Sequence, residues 1–474
     1  MWILGLLALG SANAASLDYP QVSGPFGTPG ANDATAAHWN PAGLAMGDGT
    51  RFHIEGAPTF ASMNIDRDDP YFGGLDQFRL QAVVPFAGVA TDFGVKGLGV
   101  GASVAVPFAQ GVGEGPDGSG SAKYHLQSGM IQSIYVTAAA AYSLGDRFSI
   151  GGGVIYVRSS WTATLHTEAL TSLHDTMVNQ GIDSGYDDSM IENSDYGAEL
   201  QLSHLSDDRM SFNVGVQVKP IESLTLSLAY THGVRVDNRG PGEIRMGCPP
   251  QSDVLGRLGS ESYGLCDATF AANASVSYRL PSRLNGSLVY APDNTWRVEV
   301  MGGWVGWNVY DQFTLKISDV ATLNELQKEE AALLLNQTRP QARDAKDSFW
   351  VGVDTKVEPF KYVGFGTRVL FDKSAIPTET LSPNNYDADT WVLGGSVHLK
   401  PSKKISVILG YSRYFAQQRT VTISNFGVTV DPALRAETAY FYPHARGTYR
   451  SSIDRLSLSV RGQFGGTRHE APSK

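Results

Sequence analysis

Apolar and polar residues alternate in short segments from Thr50 almost to the end of the chain. Residues 99–106 read GVGASVAV, and the same two-residue period recurs at 211–219, 224–230, 391–399 and 456–464. A two-residue period is that of a β-strand with one apolar face. The pattern therefore predicts an all-β structure from Thr50 onwards.

The connections between these segments come in two lengths, which alternate along the chain. Six are short, at 87–95, 143–147, 219–222, 291–295, 358–361 and 400–403. Seven are long, at about 61–74, 108–128, 164–208, 238–268, 318–346, 373–388 and 418–450. Bacterial outer-membrane barrels show this asymmetry, whereas soluble sandwiches do not sort their loops by length. We therefore expect a 14-stranded antiparallel transmembrane β-barrel over residues 50–464.

The two ends of the chain differ from the strand region. Residues 1–14 contain a short apolar run and end in Ala-Asn-Ala, which is typical of a cleavable signal peptide. Residues 15–49 lack the strand period, and Asn40-Pro41 favours a turn. We expect this segment to form a hatch inside the barrel, and residues 465–474 to form a tail.

Composition and charge narrow the possible functions. Charged residues make up 18% of the chain, which has 52 glycines and a net charge of −10. The negative charge argues against a nucleic-acid partner. The sequence contains no zinc-protease, phosphate-loop or Gly-x-Ser-x-Gly motif, so we expect neither an enzyme nor a cofactor or metal. A lipid-modifying enzyme would need a Ser–His pair that nothing in the sequence indicates.

Several segments resemble the FadL/TodX family of outer-membrane transporters. They are the Asn-Pro-Ala motif at 40–42, the Leu-Pro strand entry at 280–292, the Trp-rich strand at 304–316 and the closing strand. The resemblance covers roughly residues 24–464. It implies a bacterial outer-membrane barrel of fourteen strands, acting as a monomer among lipid and lipopolysaccharide. It also implies passive uptake of a hydrophobic small molecule, with lateral exit through a kinked strand wall. The glycine-rich segment 96–107 is the candidate for that wall.

The resemblance also suggests substrate-binding and gating residues. Arg158 and Lys316 match basic residues that fatty-acid-transporting members place near the bound carboxylate. The alternative is that both are rim charges facing water or lipopolysaccharide. The candidate hatch and gating residues are Asn32, Asp33, Asn40, Pro41 and Ala42.

Two of the long loops contain segments of helical period. Their apolar faces carry Leu170, Leu173 and Met177 in one loop, and Leu323, Leu326, Leu333 and Leu334 in the other. These faces either form a groove where a hydrophobic ligand first binds or merely cap the barrel.

Cys248 and Cys266 are the only cysteines, and both lie in the long loop 238–268. In an exported protein two cysteines so placed favour a disulfide bond.

The sequence therefore predicts a passive transporter, with long-chain fatty acids as the expected substrates. Two alternatives stay open: uptake of aromatic hydrocarbons by the same barrel, and a structural or adhesive barrel without transport.

Overall fold

The computed structural model describes residues 27–68, 74–112, 122, 125–167, 195, 197–247, 268–293, 295–321, 338–424 and 445–465. The predicted signal peptide, both predicted loop helices with their apolar residues, Cys248, Cys266 and residues 466–474 lie outside these ranges. Among the described residues, no helix is both long enough and apolar enough to cross a membrane.

The described residues form one antiparallel sheet of 19 segments, which group into fourteen strands. The first six strands are β1 (Thr50–Arg67), β2 (Gly74–Thr91), β3 (Leu98–Val112), β4 (Ser128–Leu144), β5 (Phe148–Thr167) and β6 (Ala198–Ile221). The next four are interrupted: β7 (Leu224–Thr231 and Arg235–Met246), β8 (Thr269–Arg279 and Arg283–Tyr290), β9 (Trp296–Val305 and Gln312–Ser318) and β10 (Thr338–Ala342 and Ser348–Val357). The last four are β11 (Val363–Asp372), β12 (Thr390–Leu399), β13 (Ile405–Ala416 and Arg419–Val421) and β14 (Gly447–Phe464).

The sheet closes on itself. The last strand, β14, pairs with β1 from Thr50↔Phe464 to Arg67↔Gly447, and every other strand pairs with its neighbours in sequence. Closure gives every strand two neighbours, which is what a β-structure needs in a bilayer. The predicted 14-stranded antiparallel barrel is confirmed.

Several strands extend further toward the long loops than the sequence pattern predicts. β1 continues to Arg67 although the pattern ends near residue 61, and β6 begins at Ala198 although the pattern begins near 208. Outward side chains on the upper part of β1 are polar, namely Ser62, Asn64 and Asp66. The alternation typical of a lipid-facing strand is therefore lost there, while the backbone ladder continues.

Four consecutive strands, β7 to β10, are interrupted within the barrel wall. The breaks lie at 232–234, 280–282, 306–311 and 343–347. In β9 the break contains a 3-10 turn, Trp307–Val309, and it brings Trp307 and Tyr310 into the barrel interior.

The outer surface carries an apolar band bounded by aromatic side chains. At the end of the band nearer the long loops, ladder partners align an aromatic row that contains Trp304, Phe349, Phe371, Trp391 and Phe415. Tyr290 and Trp296 lie near the short turns at the opposite end. Aromatic rows of this kind mark the two membrane–water boundaries of a transmembrane barrel. We call the first row the upper girdle.

Candidate functional site

Residues 27–49, which we call the hatch, lie inside the barrel at its short-turn end. They contain a helix, Ala36–Trp39, and a 3-10 helix, Pro41–Met46. Asn40 joins the two in an extended conformation, with φ −156°, and its Oδ1 accepts a hydrogen bond of 3.1 Å from the Ala42 amide. Pro41 fits the first position of the second helix because it lacks an amide hydrogen.

The barrel wall holds the hatch mainly through the carbonyl groups of the hatch. Wall side chains donate to them as follows: Asn213 to Ala37 at 3.0 Å, Gln217 to Ala31 at 3.2 Å, and Ser149 to Ala42 at 2.6 Å. In the other direction, the Asn40 Nδ2 donates to the Val216 carbonyl at 3.2 Å. Buried peptide groups of the hatch are thereby satisfied although the segment has little secondary structure.

Asp33 forms an ion pair between the hatch and the wall. Its Oδ2 lies 3.3 Å from an Arg461 guanidinium nitrogen, and its Oδ1 accepts a 2.8 Å hydrogen bond from the Thr35 amide. Burial alone would raise the pKa of Asp33, but Arg461, His53 and the Thr35 hydrogen bonds together lower it to about 2. Asp33 is therefore ionised at neutral pH. Asn32 has an exposed side chain and meets the wall through its carbonyl oxygen, which Arg51 contacts.

Glycines in the wall make room for the hatch. A Cβ at Gly151 would lie 2.6 Å from the Ala42 nitrogen, and one at Gly99 or Gly215 would collide with Leu44 or Asn40. Gly99 and Gly101, in the segment 96–107 that the sequence suggests as a weak part of the wall, thus face inward and receive the hatch. The irregular part of β3, between Ala105 and Phe108, lies nearer the long loops.

An apolar pocket lies in the lumen on the side of the long loops. The empty space between its lining residues is about 720 Å³, a figure that includes space open to solvent. Apolar and aromatic side chains dominate its lining, which includes Met63, Met130, Ile131, Trp161, Phe313 and Leu315. The loop between β11 and β12 folds over this pocket and contributes Pro383, Asn384 and Tyr386. Such a pocket fits a hydrophobic molecule.

Arg343 places a buried cation at the edge of this pocket. It lies in the break of β10, is 2% exposed, and stacks over the Phe313 ring at 5.0 Å. Its Nη1 and Nη2 donate to the amide oxygens of Asn384 and Gln341, each at 3.1 Å. Among the described residues it has no carboxylate partner, and its Nε has no hydrogen-bond partner.

Aromatic side chains form a layer between the pocket and the hatch. Phe108 packs edge-to-face on Trp307 at 5.9 Å, and Arg283 lies over Phe108 at 5.2 Å. Trp39 of the hatch belongs to the same hydrophobic cluster. Contacts therefore run continuously from the pocket to the hatch.

The seam between β2 and β3 opens beside the pocket. The ladder between them ends at Phe86↔Ala105, so the rest of β3 has no ladder partner in β2. In the same place the β3–β4 ladder shifts by one residue between Ala105 and Phe108. This is a β-bulge at Val106-Pro107, and Pro107 offers no amide to the ladder.

Arg158 and Lys316 both point away from the lumen, so the expectation that they meet a ligand carboxylate inside the barrel is wrong. On β5 the odd-numbered residue Ser149 contacts the hatch, so the even-numbered Arg158 faces outward, where its side chain is 49% exposed and pairs with Asp208 at 3.2 Å. On β9, Phe313 faces the pocket, and Lys316, three positions further, is exposed on the outer face. The alternation of a strand fixes these orientations.

The sequence does not single out Arg343, because this residue lies in the long loop predicted at 318–346. The orientation of Lys316, by contrast, has a signal in the sequence. Phe313, Leu315 and Ile317 alternate with Lys316, so an apolar inner face at this level places Lys316 on the outer face.

Comparisons with known proteins agree with this geometry. Residues 25–446 match the family described as outer membrane protein transport protein (OMPP1/FadL/TodX). A Pseudomonas aeruginosa FadL homologue is similar in structure, with a TM-score of 0.73 and 18% identity, over 97% of this chain and 100% of that one. The CymD monoaromatic hydrocarbon channel gives a TM-score of 0.60 at 12% identity, over 98% and 100% of the two chains. The P. putida toluene transporter TodX gives 0.59 at 12%, over 97% and 100%.

A search among curated proteins found no match. The structural likenesses establish the fold, and the family match covers most of the chain. The chain therefore belongs to the OMPP1/FadL/TodX family of outer membrane transport proteins, as its resemblance to that family predicts.

Proposed function

We propose that this barrel carries hydrophobic molecules from the outside into the outer membrane. The molecule enters at the long-loop end, binds in the apolar pocket, and leaves sideways through the seam between β2 and β3. A single closed chain provides the whole path, which is consistent with a monomer. A structural or adhesive barrel would have no use for such a pocket.

Charges below the aromatic layer oppose a straight path through the barrel. The space beside the hatch, of about 710 Å³, is lined by ionisable groups that include Arg297, Asp354, Lys356, Arg368 and Arg461. A hydrophobic solute entering there would separate these charges from water and from one another, which is unfavourable. The hatch closes this end of the barrel against water. A ligand can displace the hatch only if it binds the barrel more tightly with the hatch displaced than with the hatch in place.

The contact between the pocket and the open seam carries the proposal. Gln110 and Gly111 line the pocket, and both belong to the part of β3 that has no partner in β2. A ligand in the pocket therefore lies against a part of β3 that has no ladder with β2. Such a site opens at a lower free-energy cost than an intact ladder.

Deleting Pro107 tests the exit route. The bulge places two residues, Val106 and Pro107, opposite one residue of β4, so removal of one restores a regular ladder and leaves Phe108 facing inward. We expect the variant to fold and to bind ligand with unchanged affinity, but to lose at least about tenfold in uptake by cells. Deletion of Gly145 from the β4–β5 turn is the control. Unchanged uptake by the Pro107 deletion would refute lateral exit at this seam.

Long-chain fatty acids are the substrate class that we propose. The argument is that Arg343 is a buried cation at the pocket whose side-chain hydrogen bonds go to neutral groups. A carboxylate in the pocket would exchange these for charge-assisted hydrogen bonds, which are stronger. The acyl chain would then occupy the apolar remainder.

Arg343→Gln tests this assignment, with Lys316→Gln as the matched control on the outer face. We expect Arg343→Gln to weaken oleate binding by about 10- to 100-fold, as loss of a hydrogen bond to a charged group does. It should leave toluene binding unchanged. If both variants bound oleate with equal affinity, Arg343 would have no role in binding the carboxylate headgroup. The proposed exit route would not be affected by that result.

Uptake of aromatic hydrocarbons is the second candidate. Four rings line the pocket, those of Trp161, Tyr310, Phe313 and Tyr386. TodX and CymD are named for toluene and monoaromatic hydrocarbons. The binding experiment separates the two classes: toluene bound more tightly than oleate by the unmodified barrel favours the hydrocarbon.

A further inference from the structure

Two arginines face each other on the outer surface of the barrel. Arg235 on β7 and Arg279 on β8 are direct ladder partners, and both are exposed. Their neighbours Val236 and Tyr278 are buried on the inner face, so both guanidinium groups must lie outside. This surface is separate from the pocket and from the exit seam.

Such a pair is unfavourable by itself. Like charges on directly opposite residues of an antiparallel ladder destabilise it. No ion pair in the described part of the chain involves either arginine. The nearby carboxylate of Asp237 is already bonded to Arg239, and it accepts a 2.7 Å hydrogen bond from Ser277.

Two further cations lie four residues further along the same surface, beyond the pair Asp237↔Ser277. Arg239 of β7 and Lys316 of β9 are both ladder partners of Ser275 on β8. Four residues along a strand span about 13 Å, so these cations border the Arg235–Arg279 pair and are not part of it. The patch is thus centred on Arg235 and Arg279, and its border contains Arg239 with Asp237 and Lys316 with Asp319.

The patch lies just above the membrane boundary. Across the ladder, Tyr230 of β7 pairs with Leu284 of β8, and Leu284 pairs with Trp304 in the upper girdle. Arg235 and Arg279 are the first ladder pair beyond the breaks at 232–234 and 280–282, on the side of the long loops. That is the level of the lipid headgroups in the outer leaflet.

We propose that this patch binds the phosphate groups of a phosphorylated glycolipid of the outer leaflet. Guanidinium groups form paired hydrogen bonds with phosphate oxygens, and a bound phosphate would remove the repulsion between Arg235 and Arg279. The Ser277 hydroxyl is bonded to Asp237, but that of Ser275 is available to the sugar part of the headgroup. The proposal does not depend on what the barrel transports.

The test uses the full barrel in a zwitterionic detergent, with the double variant Arg235→Gln/Arg279→Gln. The probes are diphosphoryl lipid A, monophosphoryl lipid A, phosphatidylglycerol and inorganic phosphate, with binding followed by native mass spectrometry and by melting. We expect the unmodified barrel to bind diphosphoryl lipid A at least tenfold more tightly than the double variant. Without glycolipid the order of stability should reverse, and the double variant should melt at the higher temperature.

Arg79→Gln is the control, because Arg79 is an exposed arginine of β2 whose ladder partner on β1, Ser62, is uncharged. It should bind lipid A like the unmodified barrel. Equal lipid A binding by the double variant would overturn the proposal, with folding of each variant checked by heat-dependent gel mobility. Equally tight binding of phosphatidylglycerol or inorganic phosphate would overturn the glycolipid assignment.

Discussion

Asn40→Ala should loosen the hatch and leave the barrel intact. The Asn40 side chain is fully buried and makes two hydrogen bonds, one within the hatch to the Ala42 amide and one to the Val216 carbonyl in the wall. Alanine removes both. No strand of the barrel depends on this side chain for its ladder.

The size of the effect follows from these two bonds. Loss of a side-chain cap costs about 1 kcal/mol, and loss of a neutral hydrogen bond costs about 1 kcal/mol. Both losses apply when the hatch leaves its site. A segment this short has no hydrophobic core of its own, so the released hatch unfolds and the hydrogen bond to the Ala42 amide is lost together with the one to the wall. About 2 kcal/mol corresponds to a roughly 30-fold larger population of released hatch.

Amide hydrogen exchange measures this population directly. Amides of residues 36–46 should exchange roughly 30-fold faster in Asn40→Ala, with barrel amides unchanged. Asn32→Ala is the matched control, since the Asn32 side chain is exposed in the same segment. A change below about threefold in Asn40→Ala, or an equal change in Asn32→Ala, would refute the reasoning.

Three other predictions address the hatch and the loops. Because the pKa of Asp33 is lowered from 3.8 to about 2 in the docked hatch, its stabilising effect is complete above about pH 4 and is lost as the pH falls toward 2. Hatch protection, corrected for intrinsic exchange, should therefore fall over that interval, and in Asp33→Asn it should not. Gly151→Val should displace the hatch, since its Cβ would lie 2.6 Å from backbone atoms of the hatch, whereas Gly152→Val, with its nearest atom at 3.6 Å, should not; hatch exchange distinguishes them. Cys248 and Cys266 should resist alkylation without reductant, and quantitative labelling of both would contradict the predicted disulfide.

The barrel itself was accessible from the sequence because two signals agree. Alternation such as that of Leu224 to Tyr230 marks lipid-facing strands, and the difference between short and long connections gives their number and direction. The hatch was recognisable because residues 31–45 lack that alternation and contain Asn40-Pro41. The contacts of the hatch were not recognisable from the sequence. Gly151 and Gly215 look like ordinary strand glycines there, and they meet the hatch only when the barrel closes.

Orientation of the upper strand residues was the main failure. The resemblance to the family suggests a lumenal role for Arg158 and Lys316, and counting the alternation of each strand from the sequence does not give the side on which they lie. The apolar residues of a strand show which way its side chains point only if one knows whether the apolar face is turned outward or inward. In this barrel the apolar face is turned toward lipid near the short turns and toward the lumen near the long loops.

β1 shows the change within one strand. Near the short turns His53 and Glu55 point inward while Ile54 meets lipid, but toward the long loops Met63 and Ile65 point inward and the outward residues are polar. Met63 and Ile65 are buried in the same hydrophobic cluster as the pocket residues Trp161 and Phe313. The inversion therefore supports the proposal that an apolar molecule binds in the upper lumen. It also explains why cations collect on the outer surface at the same height, where lipid headgroups replace acyl chains as the neighbours of the wall.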